Sequence, residues 1–189
     1  MKYIIVAVVL VSLGSCGASS ERISGKLDVG TGVTITYSRT PMVFYVDKSG
    51  QAAYARNVLY VGPLEVNRMG RFRYYLWLGI WNTLQDPISG KSRDGFESIV
   101  IYADGEPLPL EVSGWSPDSI GASEDVYIRP VSSAADAYYE VTIDQLRLIA
   151  ASSDVRIQTT GIRPQVYEPW DAQQSARLGL KAFLEESVY

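Results

Sequence analysis

Past residue 24 the chain alternates short apolar runs with turn-forming residues, and the runs have the two-residue period of half-buried strands. Strands are predicted over Val33–Ser38 and Met42–Asp47, separated by Arg39-Thr40-Pro41. Longer runs follow over Asn57–Val66 and Arg71–Trp81, joined by Asn67-Arg68-Met69-Gly70. Glu97–Ala103 and Leu108–Val112 flank Asp104-Gly105, a hairpin signal, with Pro107 and Pro109 assigning the second strand to an edge. Val126–Val131, Tyr138–Ile143 and Val155–Thr160 complete the set. Strands at this spacing predict a mainly β, antiparallel sandwich, with a barrel as the alternative.

Two segments change period from two to 3.6. Thr142-Ile143-Asp144-Gln145 has the spacing of a capping box, and Leu146, Ile149 and Ala150 continue an apolar stripe to Ser152-Ser153. This predicts a short helix inserted between two strands. Near the end, Asp171 can cap a helix running to about Ser187, with Ala176, Leu180, Phe183, Leu184 and Val188 on one face. That face is expected to pack on the sheet of its own chain, the alternative being a partner.

The amino terminus departs from the β pattern. Lys2 precedes an apolar or small stretch from Tyr3 to Gly14, 12 residues long. A helix of that length reaches about 18 Å, well short of a hydrocarbon core of roughly 30 Å, so a signal-peptide segment fits better than a membrane span. The stretch ends in Leu13-Gly14-Ser15-Cys16, which resembles the lipobox of bacterial lipoproteins. The resemblance implies cleavage between Ser15 and Cys16 and acylation of Cys16, and Gly17 in place of aspartate implies an outer-membrane destination on its periplasmic face. Two or three acyl chains, each methylene contributing about 0.8 kcal/mol, anchor a protein durably. The expected organisation is a signal peptide at 1–15, a lipidated tether at 16–24 and a single β-rich domain at 25–189.

Composition narrows the chemistry. The 189 residues hold no histidine, which removes Ser-His-Asp and Cys-His catalysis and His-ligated metals. Cys16 is the only cysteine, so no intramolecular disulfide forms and the domain depends on its core. A net charge of −4 argues against a nucleic-acid binder. No P-loop, G-x-G-x-x-G or G-x-S-x-G motif occurs, and no cofactor or metal site is predicted.

Arg71–Trp81 is the most distinctive segment. Alternation puts Phe72, Tyr74, Leu76, Leu78 and Ile80 towards a core and Arg71, Arg73, Tyr75, Trp77 and Trp81 on the opposite face. Tyr75, Trp77 and Trp81 form a candidate ligand or partner face, where rings beside guanidinium groups would stack on a sugar or anchor a protein. The competing expectation is a central strand buried on both faces, its Trp rings lying under a loop or the C-terminal helix. Asp94 with Glu97, Asp104 with Glu106, and Glu124 with Asp125 are the remaining acid/base pairs. A carboxylate hydrolase needs two such groups facing each other across a cleft. Asp118, Glu124 and Asp125 lack the spacing of a calcium loop.

These readings converge on a membrane-anchored, non-catalytic lipoprotein, an accessory or assembly factor that binds a protein partner in the cell envelope. A module for envelope glycan or another small ligand is the main alternative, and a carboxylate hydrolase the third.

Overall fold

A computed structural model describes residues 22–47, 50, 55–82, 93–129, 131–170 and 174–187. Its ten strands are β1 (Ile23–Asp28), β2 (Val33–Ser38), β3 (Met42–Asp47), β4 (Arg56–Arg68), β5 (Arg71–Asn82), β6 (Ser98–Ala103), β7 (Glu106–Gly114), β8 (Ala135–Val141), β9 (Val155–Thr159) and β10 (Val166–Pro169). The helices are α1 (Ile143–Ala151) and α2 (Gln174–Glu186). The order β4-β3-β10-β9-β6-β7-β8-β5 closes through a β4–β5 pairing, so eight antiparallel strands form a barrel and β1–β2 extend it as a flap. The expected antiparallel β architecture therefore takes the barrel form.

Closure depends on β4, which is 13 residues long and has two partners along one edge. Its Arg56–Val61 half pairs with β3 and its Leu64–Asn67 half with β2. Gly62 and Pro63 fall between the two halves, and there Pro63, which has no N–H, costs the ladder little. Along the other edge, Asn57 to Arg68 run in unbroken register with β5.

The barrel interior is filled. Leu59, Val61, Leu76, Leu78, Ile99, Ile101 and Tyr139 point inward and are essentially inaccessible, joined by Phe44, Phe96 and Tyr167. Both helices follow strands that end at the same mouth, and they close it with Leu146, Ile149, Leu180 and Phe183. The predicted capping box of α1 is formed: Gln145 N–H donates to Thr142 Oγ1 (3.1 Å) and Thr142 N–H to Gln145 Oε1 (2.8 Å). Leu180 and Phe183 are 1% and 0% exposed, so α2 packs on its own chain. Asp171 and Val188 lie outside the described residues.

Four elements differ from the sequence reading. β7, assigned to an edge by Pro107 and Pro109, has β6 on one side and β8 on the other, with both prolines in the half that pairs with β6 alone. Ile23 and Ser24, expected in the tether, already pair with Ser38 and Tyr37 in β1. β10, which the sequence pattern does not predict, pairs with β3 and β9. Val126–Val131 is expected as a strand, but its described residues 126–129 and 131 are irregular: Val126 and Tyr127 are both buried while Ile128 is 95% exposed, a pattern without two-residue alternation.

That segment, with the 3-10 turn Pro117–Ile120 before it, lies over the outside of β4 and β5. Val33, Ile35, Leu64, Val66, Tyr75, Trp77 and Tyr138 meet Ile120, Ala122, Val126 and Tyr127 there as a second core. Tyr127 stacks on Trp77 (4.5 Å between centroids, 16° between planes) and its hydroxyl donates to the Pro63 carbonyl (2.9 Å). The ring occupies the space above Gly62, where a Cβ would come within 2.3 Å of it. Gly62→Ala is therefore expected to destabilise the fold by about 1–3 kcal/mol through overpacking. Gly25→Ala, which meets nothing within 4 Å, is the control for added strand propensity in paired denaturant titrations.

Candidate functional site

The face expected to carry Tyr75, Trp77 and Trp81 is divided by this outer core. Tyr75 and Trp77 are 2% and 1% exposed, which corrects the expectation of a stacking surface there and leaves the two-sided strand. Trp77 Nε1–H donates to Asp136 Oδ1 (2.9 Å), and Asp136 Oδ2 pairs with Arg129 Nε (2.8 Å). Burial pushes the Asp136 carboxyl up, against the opposing pull of Trp77 and Arg129. Phe72, assigned to the core by alternation, is 45% exposed because β5 extends beyond the closed mouth at that point.

Trp81 stays partly accessible, and its surroundings form the best candidate surface. In the strand register Tyr45, Val58 and Trp81 stand in one row on the outer wall. Val58, between the two rings, is buried. At the end of β10 the Trp170 N–H donates to the Val43 carbonyl (2.9 Å), bringing the indole edge-on to Tyr45 (5.1 Å, 66°). The Arg56 guanidinium lies over Trp170 (4.7 Å) and Tyr45 (5.6 Å). Such cation–π contacts contribute about 0.5–1 kcal/mol each at exposed sites. Trp170 is 38% exposed, so part of its ring faces solvent. Tyr45, Arg56 and Trp170 were not singled out in the sequence, since β3, β4 and β10 meet only through the barrel's register.

The carboxylates are engaged elsewhere. Asp104 accepts from Ser153 N–H, Ser153 Oγ and Asp154 N–H (2.9, 2.9 and 2.8 Å), which hold its carboxyl below the usual range. Glu97 accepts from Gly95 N–H (2.9 Å), Glu124 pairs with Lys26 (2.5 Å), and Asp125 with Arg129 (3.0 Å). Asp94, Glu106 and Asp118 are exposed. Asp94 and Glu97 border an open groove with Arg163 and Gln165, where neither carboxylate is buried. Among the described residues no group of three or more acidic or cysteine side chains is placed to hold a metal ion. A cavity of about 120 Å³ lies between β3 and the two helices, lined mainly by Met42, Phe44, Ile149 and Leu180.

Two further acids matter for stability. Asp28 accepts from Ser123 Oγ (2.6 Å), Ser123 N–H (2.5 Å), Thr31 N–H (3.1 Å) and Gly30 N–H (3.0 Å), tying the β1–β2 turn to the outer loop. These donors, the Ser123 hydroxyl first, hold its carboxyl down at about 2. Glu65 does the opposite: it is 7% exposed on the interior face beside Tyr74 and Ser187, and burial pushes its carboxyl up. Its Oε2 has no hydrogen-bond partner.

Cys16 and Ser15 lie outside the described residues. Among the described residues no helix is long and apolar enough to cross a membrane. Compared with protein-family models, curated proteins and solved structures, the chain matches none.

The two acids predict opposite pH effects. A depressed folded pKa at Asp28 stabilises above its unfolded value and is lost as pH falls towards 2, so the gap between wild type and Asp28→Asn narrows on acidification from pH 5. A raised folded pKa at Glu65 costs stability as pH rises above its ordinary carboxyl value, so Glu65→Gln gains on wild type between pH 4 and 8. Denaturant midpoints across pH check both.

Proposed function

We propose that this chain is a lipid-anchored bacterial lipoprotein, non-catalytic, that holds a protein partner in the cell envelope at the periplasmic face of the outer membrane. The lipobox-like Leu13-Gly14-Ser15-Cys16 supports the anchor. One observation carries the binding role: the half-exposed cluster of Tyr45, Trp81, Trp170 and Arg56 stands on a wall fixed from behind by a filled interior. Aromatic and arginine side chains held rigid before contact lose little entropy on binding, which is the character of interface hot spots. Engagement of the carboxylates in turns and ion pairs supports a non-catalytic reading.

The same cluster supports a second reading, an envelope-glycan module, because the exposed Trp170 ring beside a guanidinium matches the flat faces of sugars. Crosslinking in cells followed by mass spectrometry separates the two. A protein captured in stoichiometric amount, and reduced by more than about tenfold in a folded Trp170→Ala variant, supports the partner reading. Capture insensitive to that substitution removes the cluster from the interface. Quenching of Trp fluorescence by soluble cell-wall fragments, lost in the same variant, transfers the role to glycan. For the anchor, Cys16→Ser is expected to move the protein from the membrane to the soluble fraction, as followed by immunoblot.

A further inference from the structure

We propose that the β1–β2 and β4–β5 hairpin tips form a membrane-contacting edge, lying in the headgroup region of the anionic lipid surface that carries the acylated Cys16. This deepens the lipoprotein reading and rests on it.

The register puts the two tips side by side. Leu27 pairs with Thr34, Thr34 with Asn67, and Asn67 with Phe72, so the four form one row across β1, β2, β4 and β5. The turns beyond that row carry Val29 and Met69. Leu27, Val29, Met69 and Phe72 are 62%, 90%, 99% and 45% exposed, a concentration of large apolar side chains at one edge. Single apolar residues scattered over a surface are ordinary, whereas four large ones on adjoining strands and turns at one edge are a concentration that suits a contact.

Charge identifies the contact as lipid. In a chain of net charge −4, the β4–β5 tip reads Arg68-Met69-Gly70-Arg71-Phe72-Arg73, three arginines with no carboxylate in the run; Arg73 lies near Glu140 of β8, which leaves Arg68 and Arg71 as the outermost charges of the tip. Arginine beside exposed apolar residues suits the membrane interface, where the apolar groups enter the acyl boundary and the guanidinium groups stay among phosphates. The acid of the neighbouring tip, Asp28, is 2% exposed and turned to Ser123, and Lys26 is matched by Glu124. Glu185 and Glu186 of α2 are exposed near Tyr74, whose hydroxyl donates to the Ser187 carbonyl, a step behind Phe72 along β5.

The anchor reaches. Six residues lie between Cys16 and Ile23, a connection of up to about 25 Å when extended. From Ile23 down β1 to Val29 is about 20 Å at the strand rise. An acylated Cys16 and the two tips can therefore share one plane, with the Tyr45–Trp170 cluster on the barrel wall above it.

The test uses the full-length protein, processed in cells, purified and placed in phosphatidylcholine–phosphatidylglycerol vesicles containing brominated lipid. An environment-sensitive thiol probe is attached at Val29→Cys or, at the opposite end of the barrel, Ile162→Cys, each the free thiol when Cys16 is acylated. The Val29 probe is expected to lose about half its emission or more to the brominated lipid and the Ile162 probe none. Met69→Asp with Phe72→Asp, two exposed positions, is expected to restore the Val29 emission. Equal behaviour of the two probes overturns the proposal, and so does shielding of Val29 without lipid quenching, which signals a second copy at the tips. A mass spectrum showing unmodified Cys16 overturns the anchor and this proposal together; acylated Cys16 with a Val29 probe in water overturns only the tip contact.

Discussion

The stack of Tyr127 on Trp77 above Gly62 fixes the outer half of this molecule. It brings an irregular loop down onto β4 and β5, makes those strands central rather than superficial, and joins the barrel wall to the β1–β2 flap. Two glycines clear its volume: Gly62 under Tyr127, and Gly79, where a Cβ would meet the Trp77 ring at 2.6 Å. The polar ends of the rings are satisfied at Pro63 and Asp136, so the stack buries two large aromatics without orphaning a donor. The covered part of the wall is continuous with the open half near Trp81 through the unbroken β4–β5 ladder.

The buried acids reflect this two-sided construction. Asp136 sits at the margin of the outer core and has Trp77 and Arg129 as partners. Glu65 points to the interior from the next stretch of β4 wall and has one oxygen without a hydrogen-bond partner. Burial disfavours the charged form of both; Asp136 also organises a loop through Arg129, whereas Glu65 has Tyr74 and Ser187 as its polar neighbours. Glu65 lies where the end of α2 meets β5, through Tyr74 and Ser187, so its ionisation bears on the seating of the C-terminal helix.

Local pattern carried much of the fold. Val33–Ser38 is legible because Val33, Ile35 and Tyr37 alternate with polar residues, Met42–Asp47 because it is a short apolar run bounded by Pro41 and Asp47, and α1 because its capping residues act within one turn. β10 was not legible: Val-Tyr-Glu-Pro has no periodicity of its own and becomes a strand between β3 and β9. Trp77 and Trp81 illustrate the limit at the site. They share a strand and a face four residues apart, and alternation treats them alike. What separates them is the Pro117–Arg129 segment, which arrives over Trp77 from a distant part of the chain. For the same reason Arg56 and Trp170 were invisible until the barrel closed.

A small barrel need not be filled; the same architecture elsewhere leaves room for a ligand. Here bulky residues on facing strands occupy the interior, Tyr139 donating across it to the Phe96 carbonyl (2.5 Å), and α1 and α2 close one mouth. The proposed contacts then fall to the wall and the edges, which have distinct characters. The Tyr45–Trp170–Arg56 cluster is partly covered and cross-braced, suited to a specific, shape-matched contact. The hairpin tips carry single long side chains on turns, with Met69 in a left-handed conformation (φ 52°), suited to a fluid surface that asks for no complementarity. On the proposed reading, a rigid contact on the wall and a forgiving one at the edge would let one small domain be oriented by a membrane and still hold a partner.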